Sequence, residues 1–284
     1  MELARAHASL GWVLGYRLGR NDEGIRHGRH ALEVASRISA PAFRASLCGK
    51  LGANYLRAGD WDGQLEINQT DLALSTEARD AAGLVRANIN LGVCFTNRGD
   101  LERARLHTER ALDLAERCGS APSAQIAQNN LAMIAFDDRR WADAERHAQA
   151  VLAGATRTGF RRALPETFLT LARLRLLSGD FDAAERALSD AEADSDVADM
   201  EVAERVRAKL ELARGDPSAS CRRLEALVGR HEHDPYERAA SRLTLATALH
   251  ANGRATDADV EEQRADAVFR KLGADPALER ARWA

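Results

Sequence analysis

The chain has 284 residues and a formal net charge of −3, from 40 basic and 43 acidic side chains. This balance provides neither an electrostatic footprint for nucleic acid nor a basic patch for a membrane surface. The sequence is rich in Ala, Leu and Arg and contains only six prolines, a composition that favours helix throughout.

The cysteines give no sign of a metal site or of a disulfide framework. There are four, well separated in sequence: Cys48, Cys94, Cys118 and Cys221. We expect them to be reduced thiols. The N-terminal residues lack the cationic and apolar segments of a signal peptide, and no apolar run is long enough to span a bilayer. The sequence therefore predicts a cytoplasmic protein.

A glycine-centred turn recurs along the chain at a nearly fixed spacing. It lies at Gly19, Gly59, Gly99, Arg139, Gly179, Gly215 and Gly253, with spacings of 40, 40, 40, 40, 36 and 38 residues. A period of this size is typical of solenoids built from helical hairpins. Glycine can end one helix in a left-handed conformation, and an aspartate after it can cap the next helix.

Taken in order, the elements are seven predicted hairpins and one short helix. The hairpins cover approximately residues 1–39, 40–79, 80–119, 120–159, 160–195, 196–233 and 234–273, and the final helix covers 275–284. A leucine followed by a small residue precedes most turns, as in Leu91-Gly92, where we expect helices to cross closely. The first hairpin is irregular, because Leu10-Gly11 lies one residue further from its turn. A late hairpin also departs from the repeat pattern, because Arg207 occupies the position at which most hairpins have leucine.

These columns resemble the tetratricopeptide repeat family. Its pattern of leucine-glycine, aromatic residue and glycine-aspartate appears as Leu51-Gly52, Tyr55 and Gly59-Asp60-Trp61, and again as Leu91-Gly92, Phe95 and Gly99-Asp100-Leu101. The resemblance covers nearly the whole chain, with a period of 40 rather than the usual ~34 residues. Such long repeats occur in polarity-scaffold and kinesin-light-chain proteins and in bacterial ATPase-linked transcription regulators. The segment 269–274 looks like the end of the sensor array in those regulators.

The resemblance implies a single right-handed superhelical solenoid over residues 1–284, with a concave groove lined by the first helix of each hairpin. The column before leucine-glycine reads Lys50, Asn90, Asn130 and Thr170. In related long-repeat arrays an asparagine here holds the backbone of a bound peptide, since a carboxamide both donates and accepts hydrogen bonds. The alternative is that Asn90 and Asn130 are repeat residues on a solvated face.

Further residues are expected to flank this column in the groove. They are Arg57, Arg86, Val93, Asn97, Met133, Phe136 and Arg173. Met133 and Phe136 are interpreted either as an apolar pocket or as ordinary core. A heat-shock chaperone tail is disfavoured as partner, because Gly49 and Ala53 stand where a lysine and an asparagine would be needed.

No motif indicates catalysis, a cofactor or a native metal site. The sequence has no phosphate-binding glycine loop, nucleophile elbow or zinc-protease spacing. His27, His107 and His147 form one column spread along the array, and the polar run His231-Glu232-His233-Asp234 has no catalytic zinc spacing. We therefore expect no enzyme activity, no catalytic residues and no bound metal.

Two functions remain open at this point. The leading hypothesis is a scaffold that binds a protein or an extended peptide in the concave groove. The alternative is the sensor or regulatory array of a bacterial signalling or transcription-regulatory protein, which would bind a small effector or a neighbouring domain. Neither hypothesis involves direct contact with nucleic acid or with a membrane.

Overall fold

The computed structural model describes residues 1–193, 197–229 and 235–281, and all regular structure in these ranges is helical. The helices are α1 (Glu2–Trp12), α2 (Asn21–Ala35), α3 (Pro41–Ala58), α4 (Trp61–Glu77), α5 (Ala81–Asn97), α6 (Leu101–Arg117), α7 (Ala121–Asp137), α8 (Trp141–Thr158), α9 (Leu164–Leu177), α10 (Phe181–Ala193), α11 (Val197–Ala213), α12 (Pro217–Val228), α13 (Pro235–Ala251), α14 (Ala255–Leu272) and α15 (Pro276–Ala281). The all-α prediction is confirmed.

The chain divides into two compact units, and inside each unit helices that are consecutive in sequence pack on one another. Unit 1 contains Met1–Asn130, where α3 packs on α4, α5 packs on α6, and α4 also contacts α5. Unit 2 contains the described residues from 131 to 229 and from 236 to 281, where α9 packs on α10 and α10 contacts α11. The predicted polar loop His231–Asp234 lies outside the described residues, as do the last three residues of the predicted final helix.

Every predicted turn residue adopts a positive φ, including the one that is not glycine. The values are 68° at Gly19, 71° at Gly59, 76° at Gly99, 58° at Arg139, 77° at Gly179, 85° at Gly215 and 76° at Gly253. Three of the turns between hairpins repeat this conformation, with arginine at Arg79 (51°) and glycine at Gly119 and Gly159. A Cβ clashes with the backbone in this left-handed conformation, so the backbone is strained at Arg79 and at Arg139.

The residue after the turn starts the next helix in one of two ways. Asp60, Asp100, Asp180 and Asp216 each accept a hydrogen bond from the backbone N–H three residues later. At the equivalent position Arg20, Arg140 and Arg254 cannot accept such a bond, and their guanidinium groups instead pair with the carboxylates of Glu23, Asp143 and Asp257. Each of these acidic side chains also lies near a helix N-terminus, where negative charge is favoured.

Two sequence irregularities have local structural explanations. A π-helical segment, Val13–Arg17, continues α1 and takes up the extra residue between Leu10-Gly11 and the turn at Gly19. Arg207, which replaces a leucine in α11, pairs with Glu185 and Glu192 on α10. The aliphatic part of the Arg207 side chain therefore fills the leucine position, and the two carboxylates balance its charge.

Candidate functional site

In unit 1, one stripe of each of the first helices α3 and α5 stays open beside buried neighbours. On α5 it consists of Arg86, Asn90, Val93 and Asn97, which are all partly exposed, whereas the adjacent Leu91 is buried. These positions are spaced four, three and four residues apart, so they share one helical face. On α3 the equivalent residues are Ser46, Lys50, Ala53 and Arg57, all at least partly exposed. We call these residues, together with Asn130 on α7, the open stripe of unit 1.

The two asparagines of the stripe make few internal contacts. The Asn90 side chain makes no hydrogen bond within the described part of the chain, although its backbone carbonyl accepts one from Asn68 Nδ2 at 3.5 Å. Asn130 is partly exposed, and its Nδ2 has no hydrogen-bond partner among the described residues. The Asn90 carboxamide therefore has bonding capacity left for a ligand, and the covered Nδ2 of Asn130 has an unmet donor that a rotation of this partly exposed side chain would bring to a ligand.

The predicted residues that belong to unit 2 differ from one another. Met133 and Arg173 are partly exposed, and the Arg173 guanidinium lies 5.9 Å from the centre of the Phe136 ring. Phe136 is only 2% exposed and belongs to the hydrophobic core of this unit. Thr170 is 1% exposed and donates its hydroxyl to the Glu166 carbonyl at 3.0 Å. Phe136 and Thr170 therefore present no side chain to a ligand in this conformation.

The cationic residues of the open stripe have different surroundings. Lys50 is exposed and donates to Ser9 Oγ at 3.0 Å, with no carboxylate partner in the described chain. Arg57 lies 5.8 Å from the centre of the Tyr16 ring, which in turn stacks on Trp12 at 5.4 Å. This aromatic pair gives no signal in the repeat columns, because the π-helical segment that contains Tyr16 changes the repeat register.

Arg86 is held by an acidic residue that the sequence analysis did not single out. Its Nη2 donates to Asp71 Oδ1 at 2.8 Å and its Nε donates to Asp71 Oδ2 at 3.1 Å. The Asp71 side chain is fully buried, whereas the Arg86 side chain is 34% exposed. The signal for Asp71 was present in the repeat columns, since the equivalent residues on α2 and α6 are Ala31 and Ala111.

The described histidines include one close group, in the first hairpin. His7, His27 and His30 meet at the first hairpin, with His7 Nδ1 and His27 Nδ1 2.9 Å apart. Even so, no group of three or more His, Cys, Asp or Glu side chains in the described residues could hold a metal ion. Burial, followed by the charges of Arg110 and Arg103, lowers the pKa of His107, which bonds to Asn88 Oδ1 at 3.0 Å. This histidine is a packing residue between α5 and α6.

None of the described helices combines the length and the apolar character that crossing a bilayer requires.

The comparisons with known proteins agree with the repeat pattern. Residues 123–194 match the family model of the tetratricopeptide repeat. No match is found among curated proteins.

Several solved structures share the fold at low identity. One is a Rap protein complexed with competence and sporulation factor (TM-score 0.74, 16% identity, covering 92% of this chain and 73% of that one). Another is aspartyl phosphate phosphatase F from Bacillus subtilis (TM-score 0.70, 13% identity, 96% and 72%). A third is a signal transduction ATPase with a tetratricopeptide repeat sensor from Pyrococcus horikoshii (TM-score 0.60, 12% identity, 95% and 44%).

These likenesses concern the fold alone. Within that limit they confirm the predicted resemblance, including the similarity to arrays that serve as sensors in signalling ATPases. The chain is an all-α array of helical hairpins with the tetratricopeptide repeat fold, and its residues 123–194 match that repeat family directly.

Proposed function

We propose that the protein is a non-enzymatic interaction module that binds an extended peptide or protein segment along the open stripe of unit 1. The observation that carries this proposal is the pair Asn90 and Asn130. They lie at equivalent positions of successive first helices, 40 residues apart, and both have unused hydrogen-bonding capacity. Two carboxamides in register can each pair with a peptide unit of an extended chain.

The rest of the stripe suits a peptide backbone with one acidic group. Val93 offers a small apolar surface between the polar residues of α5. Asn97, on the same helix as Asn90, adds a third carboxamide to the stripe. Lys50 supplies a positive charge that no carboxylate in the described chain neutralises. We therefore expect an extended ligand that makes backbone bonds to the asparagines and places an acidic group near Lys50.

The fold comparisons support binding without identifying the ligand. The Rap protein of similar fold was solved in complex with competence and sporulation factor, which supports a binding role for an array of this fold. Met133 and Arg173 of unit 2 are partly exposed and remain proposed contact residues there. The phosphatase activity named for another similar structure belongs to that protein.

A second candidate function is the sensor or regulatory array of a larger signalling protein. The observation that favours it is the fold shared with the repeat sensor of the signal transduction ATPase. Under this proposal the open stripe would receive a small effector or a neighbouring domain. A competition experiment separates the two functions. Under the second function, a neighbouring domain added in trans would displace a bound peptide from the open stripe.

The test of the leading proposal is selection from a displayed library of random decapeptides. The wild-type protein should enrich a common set of peptides, and the Asn90→Ala/Asn130→Ala variant should fail to enrich the same set. Equal enrichment by both proteins would place the binding surface elsewhere.

A further inference from the structure

Helix α4 carries a buried polar column that no other described second helix shares. Its buried polar residues are Gln64, Asn68, Asp71 and Ser75. At the positions equivalent to Asp71 and Ser75, α2 has Ala31 and Ala35 and α6 has Ala111 and Ala115, all buried. Packing alone therefore requires only alanine at these positions, and the carboxylate of Asp71 needs another explanation.

Three helices contribute to the surroundings of Asp71. Arg86 of α5 reaches it with two N–H groups, and Ser75 Oγ donates to its Oδ1 at 3.1 Å. Gly49 of α3 leaves the space, because a Cβ there would lie 3.0 Å from Arg86 Nε and 3.4 Å from Asp71 Oδ2. Three donors on one buried carboxylate favour its ionised form, although burial raises the pKa of Asp71 above its usual value. The guanidinium is thus fixed in one orientation at the edge of the open stripe.

The arrangement leaves Arg86 with unused donors, while the ion pair of Arg86 with Asp71 carries no net charge as a whole. A guanidinium has five N–H donors, and Asp71 takes one from Nε and one from Nη2. The remaining N–H groups, on Nη1 and Nη2, make no hydrogen bond within the described chain. The positive charge is balanced by a fully buried carboxylate at hydrogen-bond distance, so an approaching anion gains little from it.

We propose that Asp71 determines ligand specificity by holding Arg86 as a charge-balanced hydrogen-bond donor for neutral acceptors, namely the backbone carbonyls of an extended peptide. This inference rests on the proposed function of the open stripe. Asp71 acts through Arg86 and is a positioning residue, since it is itself buried. The stripe then binds an acidic group at Lys50, and at Arg86 it binds the peptide backbone.

The first experiment needs no peptide and uses inorganic phosphate as the probe. The Nε–H signal of Arg86 is followed by ¹⁵N NMR, with Arg86→Lys to identify the signal. In the wild type it should stay unmoved by millimolar phosphate, because the charge is balanced. In Asp71→Ala the signal should shift in a saturable way. Alanine is chosen because it is the residue at the equivalent positions of α2 and α6, Ala31 and Ala111. A saturable shift in the wild type as large as in the variant would overturn the inference.

The second experiment compares peptides that the proteins select from the decapeptide library. Asp71→Ala should prefer acidic over neutral peptides by about two- to fivefold more than the wild type does, the worth of a partly exposed ion pair. Ser75→Ala is the matched control, since it removes a bond to Asp71 but leaves the Arg86 charge balanced. Its selection should match that of the wild type.

The two proposals fail in different ways. If no protein selects any peptide, the proposed function is contradicted. The phosphate titration would still decide whether Asp71 balances the charge of Arg86. If the wild type selects acidic peptides and Arg86→Gln abolishes that preference, the role of Asp71 is refuted and peptide binding stands. Should Asp71→Ala fail to fold, Asp71→Asn takes its place in both experiments, because it keeps the shape and removes the charge.

Discussion

Gly92 of α5 and Thr108 of α6 approach so closely that a Cβ built on residue 92 would overlap Thr108 Oγ1. The Thr108 hydroxyl is held at this crossing because it donates to the Ala104 carbonyl at 2.7 Å. In the next hairpin the equivalent residues are Ala132 and Ala148, both buried. The same helix crossing is thus built either from glycine and threonine or from two alanines.

This crossing gives the first prediction. Gly92→Leu should lower the free energy of unfolding by about 1–3 kcal/mol, because it overpacks a contact that already lacks room for a Cβ. Urea denaturation followed by circular dichroism measures the change. Ala82→Leu, at an exposed position of the same helix, is the control and should be nearly neutral.

A rescue experiment tests the proposed cause. Gly92→Ala alone should destabilise the protein, whereas Gly92→Ala combined with Thr108→Ala reproduces the pair Ala132 and Ala148 and should recover most of the loss. If the double variant is as unstable as the sum of its two single variants, the crossing is not the source of the effect.

The second prediction concerns the strained turns. Arg79 has a φ of 51°, and the equivalent residues of the next two hairpins are Gly119 and Gly159, at 68° and 74°. Arg79→Gly should raise the free energy of unfolding by up to about 1 kcal/mol, since glycine relieves the left-handed strain. Gly119→Arg should lower it by a similar amount. Equal melting temperatures for all three proteins would argue against strain at these turns.

The third prediction concerns thiol reactivity. Burial raises the pKa of Cys48 to about 12 and that of Cys94 to about 11, and Cys221 is buried as well. Cys118 is exposed. Because the thiolate is the nucleophile, a maleimide at neutral pH should label the native protein once, at Cys118, and four times after unfolding. Rapid native labelling of Cys48 would contradict the packing of α3 against α4.

The fourth prediction is a pH dependence from His107. Asn88 Nδ2 donates to the Leu84 carbonyl, so its Oδ1 faces His107 Nδ1, which must carry a proton as the donor. Burial lowers the pKa of His107 from 6.5, so as pH falls below that value the unfolded chain takes up a proton before the folded one. Stability should therefore decrease on acidification through this range, and His107→Gln should reduce the slope. A parallel pH profile for that variant would rule out His107 as the cause.

The sequence predicted the elements well because their signals are local and periodic. A positive φ at Gly99 follows from the residue type, and the repeat register places Arg139 in the same conformation although arginine disfavours it. The leucine and small-residue columns lie within single helices, so a fixed spacing identifies them.

The candidate site was harder to predict because its details depend on pairs between helices. Phe136 shares the repeat column of Leu56 and Thr96, which are both partly exposed, whereas its own ring is buried in the hydrophobic core of unit 2. Thr170 shares the column of Asn90, but it is buried in unit 2, where α9 also contacts α11. The pairing of Asp71 with Arg86 joins α4 to α5 and has no signature at a fixed spacing.

The most direct measurement of the central claim is the affinity of a library-selected peptide for the wild type and for Asn90→Ala/Asn130→Ala, by isothermal titration calorimetry. Each asparagine should contribute roughly 0.5–1.5 kcal/mol, so the double variant should bind about five- to 150-fold more weakly. Its melting temperature should be unchanged, because alanine is the better helix former. Gln69→Ala, which removes an exposed carboxamide from α4 outside the stripe, should bind like the wild type. Unchanged affinity in the double variant would contradict the account and place the binding surface away from the open stripe.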